Sequence, residues 1–235
     1  MTARIVLVPG FWLGAWAWED VVDDLRHRGD EVTAITLPGL DSDDPDRLSV
    51  THEEQAAAII EAAGDEPVVL VLHSGASTSG YLATDLAPER FERVVYVDTA
   101  PAPRGFAVNP DLDPALREWE LPAWEEFRAS PLDLLAGLDA AALDQFRARA
   151  VSEPATIAAV GLKIGDRPER LSIPSTVICC SFSAEQGKQA RDGGEFMFAE
   201  LRRVDADYVD LPTGHWPMWS RPKELAGLIH AIAGS

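Results

Sequence analysis

A serine set where an apolar run stops is the chain's best candidate for chemistry. Residues 68–72 read Val-Val-Leu-Val-Leu, and His73-Ser74-Gly75-Ala76 follow at once, leading into a helix-like segment. A strand that feeds directly into a helix forces the junction residue into a strained turn, which lifts its side chain above the sheet edge. Ser74 holds that junction, so it is the candidate nucleophile. Such a turn demands small neighbours. Gly75 and Ala76 provide them on one side, whereas Leu72 stands where a Gly-x-Ser-x-Gly pattern has its first glycine. The same residues also fit a core strand followed by an ordinary helix N-cap. Ser77, in Gly75-Ala76-Ser77-Thr78-Ser79, imitates the pattern but falls inside the helix, three residues past the strand end.

Positioning such a serine needs a sheet, and the hydrophobic periodicity supplies one. Besides 68–72, β-branched apolar runs occupy 4–8, 31–37, 93–97, 175–180 and 207–211. Helix patterns lie between them. Residues 17–28 put Trp18, Val21, Val22 and Leu25 on one face before Gly29, and residues 49–63 open with Ser49, Thr51, Glu53 and Glu54 and stop at Gly64. A third helix is expected over 75–86, ahead of Pro88, and a last one over 222–233. Alternating strands and helices imply an open, mainly parallel sheet of about six strands covered on both faces. Residues 101–170 interrupt the rhythm: poor in strand signal and punctuated by Pro101, Pro103, Pro110, Pro114, Pro122, Pro131, Pro154 and Pro168, they read as a helical insert. The expected organisation is one α/β domain, with 1–100 and 171–235 forming the core and 101–170 a cap within it.

Composition narrows the partners. At 235 residues the chain can bury about 70% of the surface its unfolded form exposes. Acidic residues number 39 against 20 basic ones, giving a net charge of −19. Phosphate neutralisation needs clustered Lys and Arg, so nucleic acid is an unsuitable partner. No run of 18 apolar residues and no charged-then-apolar leader is seen, and the chain is read as cytoplasmic, without a membrane partner. Cys179 and Cys180 are adjacent and so point to opposite faces of a strand; they read as core thiols. No metal-ligand spacing, phosphate loop or dinucleotide fingerprint occurs, so no cofactor is expected and the partner is a small-molecule substrate. A homodimer is compatible with the sequence.

Three separated features carry a family resemblance. Val6-Leu7-Val8-Pro9-Gly10-Phe11-Trp12 ends the first strand in a glycine turn, Ser74 stands at its strand-to-helix turn, and Leu211-Pro212-Thr213-Gly214-His215-Trp216 follows the last strand. In this order the chain resembles the α/β-hydrolase family over nearly its whole length. Gly14-Ala15-Trp16-Ala17-Trp18 is similar to the helix start of the branch containing plant hydroxynitrile lyases and small-ester hydrolases.

The resemblance implies roles. Ser74 would attack a carbonyl and His215 would take its proton, a task suited to an imidazole. His27, His52 and His230 fall in polar parts of helix patterns, and the His73 side chain is expected to point away from the cleft. Backbone N–H groups of Phe11 and Gly75 would hold the oxyanion, although Pro9 replaces the family's common histidine. The acid has two candidates. Family members usually carry it after the strand matching 175–180, where this chain offers Glu185; a less common geometry carries it one strand after the nucleophile helix, where Asp98 ends the run 93–97. Trp12, Trp119, Trp124 and Trp216 are the expected pocket walls. The implied activity is serine hydrolysis of a small ester or related acyl compound. Carbon–carbon cleavage by the same Ser and His, and a non-catalytic ligand-binding homologue, are the alternatives; the lyases use an active-site lysine, and here Trp216 rather than Lys188 or Lys223 adjoins His215.

Overall fold

The structure is a computed structural model in which residues 2–235 are described. Its central sheet has six parallel strands in the order β2-β1-β3-β4-β7-β8. These strands are β1 (Arg4–Val8), β2 (Glu31–Ala34), β3 (Val68–His73), β4 (Phe91–Val97), β7 (Ser175–Cys179) and β8 (Ala206–Asp210). The crossovers are α1 (Glu19–His27), α2 (His52–Ala63), α3 (Ser77–Leu86) and α8 (Ala184–Gly193), and α10 (Pro222–Ala233) closes the chain. Among the described residues, no helix is long and apolar enough to cross a membrane.

Strand alternation sorts the apolar residues into two cores. Ile5, Leu7, Val69, Val71, Val95, Val97 and Ile178 face α1 and α10, with Trp18, Val21, Leu25, Leu225 and Ile229 packed on them. Val6, Val8, Leu70, Leu72, Val94, Tyr96, Val177 and Cys179 face the opposite side, against Ala56 and Ile59 of α2 and Tyr81 and Leu82 of α3. Both layers are buried, which is why β3 reads as an unbroken apolar run rather than an alternation.

Helix boundaries follow local chemistry. The expected start of α2 at residue 49 moves to His52, because Thr51 forms a capping box with Glu54: the Glu54 N–H donates to Thr51 Oγ1 at 3.2 Å and the Thr51 N–H to Glu54 Oε2 at 2.8 Å. The segment expected to be helical, between β4 and β7, is only partly so. It holds α4 (Trp124–Arg128), α5 (Ala140–Arg149), α6 (Ala155–Ala158) and α7 (Pro168–Leu171), but also an antiparallel ribbon of β5 (Glu118–Trp119) and β6 (Glu153–Pro154). Two of its prolines stand at helix starts, Pro154 at the N-cap of α6 and Pro168 at the first position of α7, and Pro154 also belongs to the ribbon. A short α9 (Pro217–Ser220) leads into α10. Cys179 and Cys180 are free and buried.

Candidate active site

The carboxyl ends of β1, β3 and β4 meet at one edge of the sheet, and each is followed within a few residues by a strained backbone. Among the described residues, the non-glycine positions with left-handed φ are Trp12 (65°), Ser74 (51°) and Asp98 (50°). Each such conformation costs on the order of 1–3 kcal/mol and survives only where surrounding bonds enforce it.

At Ser74 the enforcement is steric. A Cβ on Gly10 would stand 2.8 Å from Ser74 Cβ, and one on Gly75 would overlap the Phe11 ring, so the loop after β1 and the serine turn close on each other only because both positions lack side chains. The departure at Leu72 has its own compensation. A Cβ on Gly80 would overlap the Leu72 side chain, so the space that a glycine at position 72 would have left is supplied from α3. Ser77 lies inside α3, buried, with its oxygen accepting from Thr99 Oγ1 at 3.3 Å.

His215, between β8 and α9, spans the gap between Ser74 and Asp98. Its Nδ1 is 2.6 Å from Asp98 Oδ2 and its Nε2 is 2.7 Å from Ser74 Oγ. A carboxylate oxygen only accepts, so Nδ1 carries the proton and Nε2 is left to accept from the serine hydroxyl. Asp98 is almost fully buried, and all its lone-pair directions are used: Oδ1 accepts from the Cys180 N–H at 2.9 Å and the Ser181 N–H at 2.8 Å, while Oδ2 also accepts from Ser181 Oγ at 2.6 Å. Burial alone would push this carboxyl's pKa up, but the bonds and charge of His215 and the Ser181 donors outweigh it and hold the pKa below its usual value. Glu185 stands elsewhere, exposed in the first turn of α8 and accepting from Gln189 Nε2 at 2.8 Å.

Two contributors had no signal of their own in the sequence. Ser181 follows β7 at the edge where parallel sheets assemble sites, which is the one cue pointing to it. His73 does turn away from the cavity, yet it ties three loops together. Its Nε2–H donates to the His215 carbonyl at 2.7 Å, and its Nδ1 accepts from the Gly10 N–H at 3.3 Å, so the partners fix the tautomer. Burial, with the neighbouring His215, pushes its pKa down to about 3, so the ring stays neutral.

A cavity of about 170 Å³ opens beside Ser74, lined by Gly75, Thr99, Phe106, Val108, Leu132 and Leu134 and by Phe182, Met197 and His215. The four tryptophans expected to wall it are not there. Trp12 packs on Trp119 with ring centroids 4.7 Å apart, Trp124 on Phe146 at 5.5 Å, and Trp216 on Phe146 at 5.2 Å and edge-on to His215 at 5.0 Å. Packing on one another, these rings join the insert to the loops after β1 and β8. The walls come instead from Phe106, Val108, Leu132 and Leu134 of the insert and from Phe182 and Met197 after β7. Among the described residues, no group of His, Cys, Asp and Glu side chains could hold a metal ion.

A family model described as "Alpha/beta hydrolase family" matches residues 5–228. Among curated proteins, methylesterase 7 of Arabidopsis thaliana is 32% identical over 101 residues, and methyl jasmonate esterase 1 of Vitis vinifera 33% over 99. Each match spans 40% of this chain and only 38% of the relative. Among solved structures, a methylesterase from Arabidopsis has a TM-score of 0.77 at 16% identity, covering all of both chains. An extracellular α/β-hydrolase from a Paenibacillus species has a TM-score of 0.74 at 20% identity, covering 97% of each chain. At these identities the structural likeness speaks for the fold alone.

Proposed function

This chain belongs to the α/β-hydrolase family, and from that premise we propose that it hydrolyses a small, uncharged ester through an acyl-enzyme on Ser74. The observation that carries the reading is the unbroken hydrogen-bond chain from Asp98 through His215 to the Ser74 hydroxyl. Ser74 Oγ attacks the ester carbonyl as His215 Nε2 takes its proton, and Asp98 stabilises the imidazolium that forms. The backbone N–H groups of Phe11 and Gly75 receive the oxyanion, each worth about 3 kcal/mol in the transition state. His215 returns the proton to the departing alcohol. Water, deprotonated by the same imidazole, then releases the acid and restores the serine.

The cavity supports the substrate class. Its walls are mostly apolar and include no Lys or Arg, so a free carboxylate on the substrate would find no counter-charge. Leu132, Phe182 and Met197 also wall a second cavity of about 420 Å³ beside α8, which gives a longer apolar chain a path past the half-exposed Met197. Esterase names among the curated relatives support the same class. Residues 101–170 act as the cap in this reading, contributing Phe106, Val108, Leu132 and Leu134 to the site.

A fluorophosphonate probe and p-nitrophenyl acetate test the proposal together. Wild-type protein is expected to be labelled on Ser74 and to turn over the ester, with both lost in Ser74→Ala and His215→Ala. Folded wild-type protein that takes no label, or Ser74→Ala with full turnover, overturns it.

A further inference from the structure

Glu153 is the one carboxylate in the insert that is buried, at 1% exposure, and its surroundings do not explain it as packing. Oε1 has no hydrogen-bond partner among the described residues, and the one bond Oε2 makes is with the Trp12 N–H at 3.4 Å. A methionine or leucine would fill the same space without a polar atom to desolvate. Burial pushes the Glu153 pKa up to about 8 against the pull of the Trp12 N–H and of Arg47. Arg47 offers little neutralisation, because it is committed to the Glu118 carboxylate and to the carbonyls of Gly39 and Ser152. Arg47, before α2, is the charged group acting on Glu153; across the ribbon Glu153 is paired with Trp119, and Glu118 with Pro154.

Trp12 is what the carboxyl holds. The residue sits in the left-handed region, directly after Phe11, and its polar atoms are bound by the insert alone: its N–H by Glu153, its carbonyl by the Val151 N–H at 3.1 Å, and its ring Nε1–H by the Trp119 carbonyl at 3.0 Å. The Phe11 N–H has no acceptor among the described residues, so it is free for a ligand. Rotating the Trp12 peptide out of its strained turn would swing the preceding Phe11 unit with it.

We propose that Glu153 is a positioning residue for the oxyanion loop: reaching in from the cap ribbon, its carboxyl clamps the Trp12 peptide in the left-handed turn and so aims the Phe11 N–H at the substrate oxygen. The assignment rests on Ser74 being the nucleophile and Phe11 an oxyanion donor. It makes the insert part of the catalytic apparatus rather than a cover. Oxyanion donors act in the transition state, so loosening the clamp lowers kcat and leaves KM in place. Ionisation of Glu153 puts an uncompensated negative charge behind the donor that must receive an oxyanion, so kcat also falls as pH rises through about 8.

Three proteins decide it, with p-nitrophenyl acetate turnover and fluorophosphonate labelling measured from pH 6 to 9.5. Glu153→Met, which removes the acceptor but keeps the volume, is expected to lose roughly ten- to a hundredfold in kcat at unchanged KM. Glu153→Gln keeps a neutral acceptor. It is expected to retain wild-type kcat at pH 7 and to lack the three- to tenfold alkaline fall that wild type shows. Wild-type kcat in Glu153→Met, or an alkaline limb identical in wild type and Glu153→Gln, overturns the proposal, and the second criterion stands even if Glu153→Met does not fold. Failure of the underlying esterase reading looks different, since wild type itself would then neither label nor turn over.

Discussion

Asp98→Asn is the substitution whose outcome follows most directly from the geometry. Asp98 Oδ1 faces the N–H groups of Cys180 and Ser181, at 2.9 and 2.8 Å, and two N–H donors cannot tolerate an NH2 group. The asparagine oxygen must therefore occupy that side. Its NH2 then lies where Oδ2 stood, within 2.6 Å of both Ser181 Oγ and His215 Nδ1. The Ser181 hydroxyl can rotate and accept. His215 Nδ1 can accept only by moving its proton to Nε2, and Nε2–H cannot take a proton from Ser74. Wrong-tautomer imidazole in a Ser-His-Asp arrangement costs about 10⁴-fold in kcat, or about 5 kcal/mol of barrier. Folding loses far less, about 1–3 kcal/mol for the weakened bonds, because every buried donor keeps an acceptor. The assay is p-nitrophenyl acetate turnover beside thermal melting, with Glu185→Gln as the control. Glu185 is exposed and bonded to Gln189, so its variant should match wild type within twofold. Asp98→Asn retaining a tenth or more of wild-type kcat, or Glu185→Gln carrying the loss, would refute the assignment of the acid.

Gly80→Ala sets a methyl group into the Leu72 side chain and should destabilise the fold by about 1–3 kcal/mol in urea titration, with Leu72→Ala on the same chain recovering part of the loss. Glu153 titrates near its ordinary 4.5 when unfolded and at about 8 when folded, so its contribution to stability is full below 4.5 and lost as pH rises to 8. Thermal melts of Glu153→Gln should therefore gain on wild type progressively across that window, by a few kcal/mol at the top, and a pH-independent difference would count against a buried carboxyl there. Met197→Trp should block the passage between the two cavities and lower p-nitrophenyl octanoate turnover roughly tenfold relative to the acetate, whereas parallel changes in both esters would detach the second cavity from the substrate path.

The sheet could be read from the sequence because it is a collective property: many apolar residues on six strands vote for one arrangement, and no single one decides it. Residues 68–72 and 93–97 and the helix over 222–233 emerge nearly unshifted. The site divides differently. Ser74 stands at a strand end, where period and turn chemistry mark it, whereas His215, in the loop between β8 and α9, is marked by the family resemblance. Ser181, His73 and Glu153 act through partners 63 to 142 positions away, and no local pattern encodes a contact of that range. The tryptophans illustrate the converse error: aromatic character in Trp12, Trp119, Trp124 and Trp216 is equally compatible with a pocket wall and with mutual packing, and only the ring contacts in the fold tell the two apart. The exchange of space between Leu72 and Gly80 is likewise invisible until β3 and α3 are known to cross.

Asp98, rather than a residue after β7, can serve as the acid because of where strain is concentrated. β1, β3 and β4 are consecutive neighbours in the sheet, and the left-handed residues Trp12, Ser74 and Asp98 lie just beyond their carboxyl ends. Adjacent strands are about 4.8 Å apart, so these three turns span only about 10 Å, the reach of one imidazole plus its hydrogen bonds. An acid on β4 lies one strand from the serine and needs support from the far side, and the loop after β7 gives it: the Cys180 and Ser181 N–H groups and the Ser181 hydroxyl all donate to Asp98. In the proposed reading, the loop expected from the family resemblance to carry the acid instead donates hydrogen bonds to Asp98. His73 then holds the His215 carbonyl from beneath, in line with the Gly10 N–H, so the histidine loop is registered against the same strand that presents the serine. Strain in the turns at Ser74 and Asp98 and donors from two flanking loops thus hold one hydrogen-bond chain, from Asp98 through His215 to Ser74.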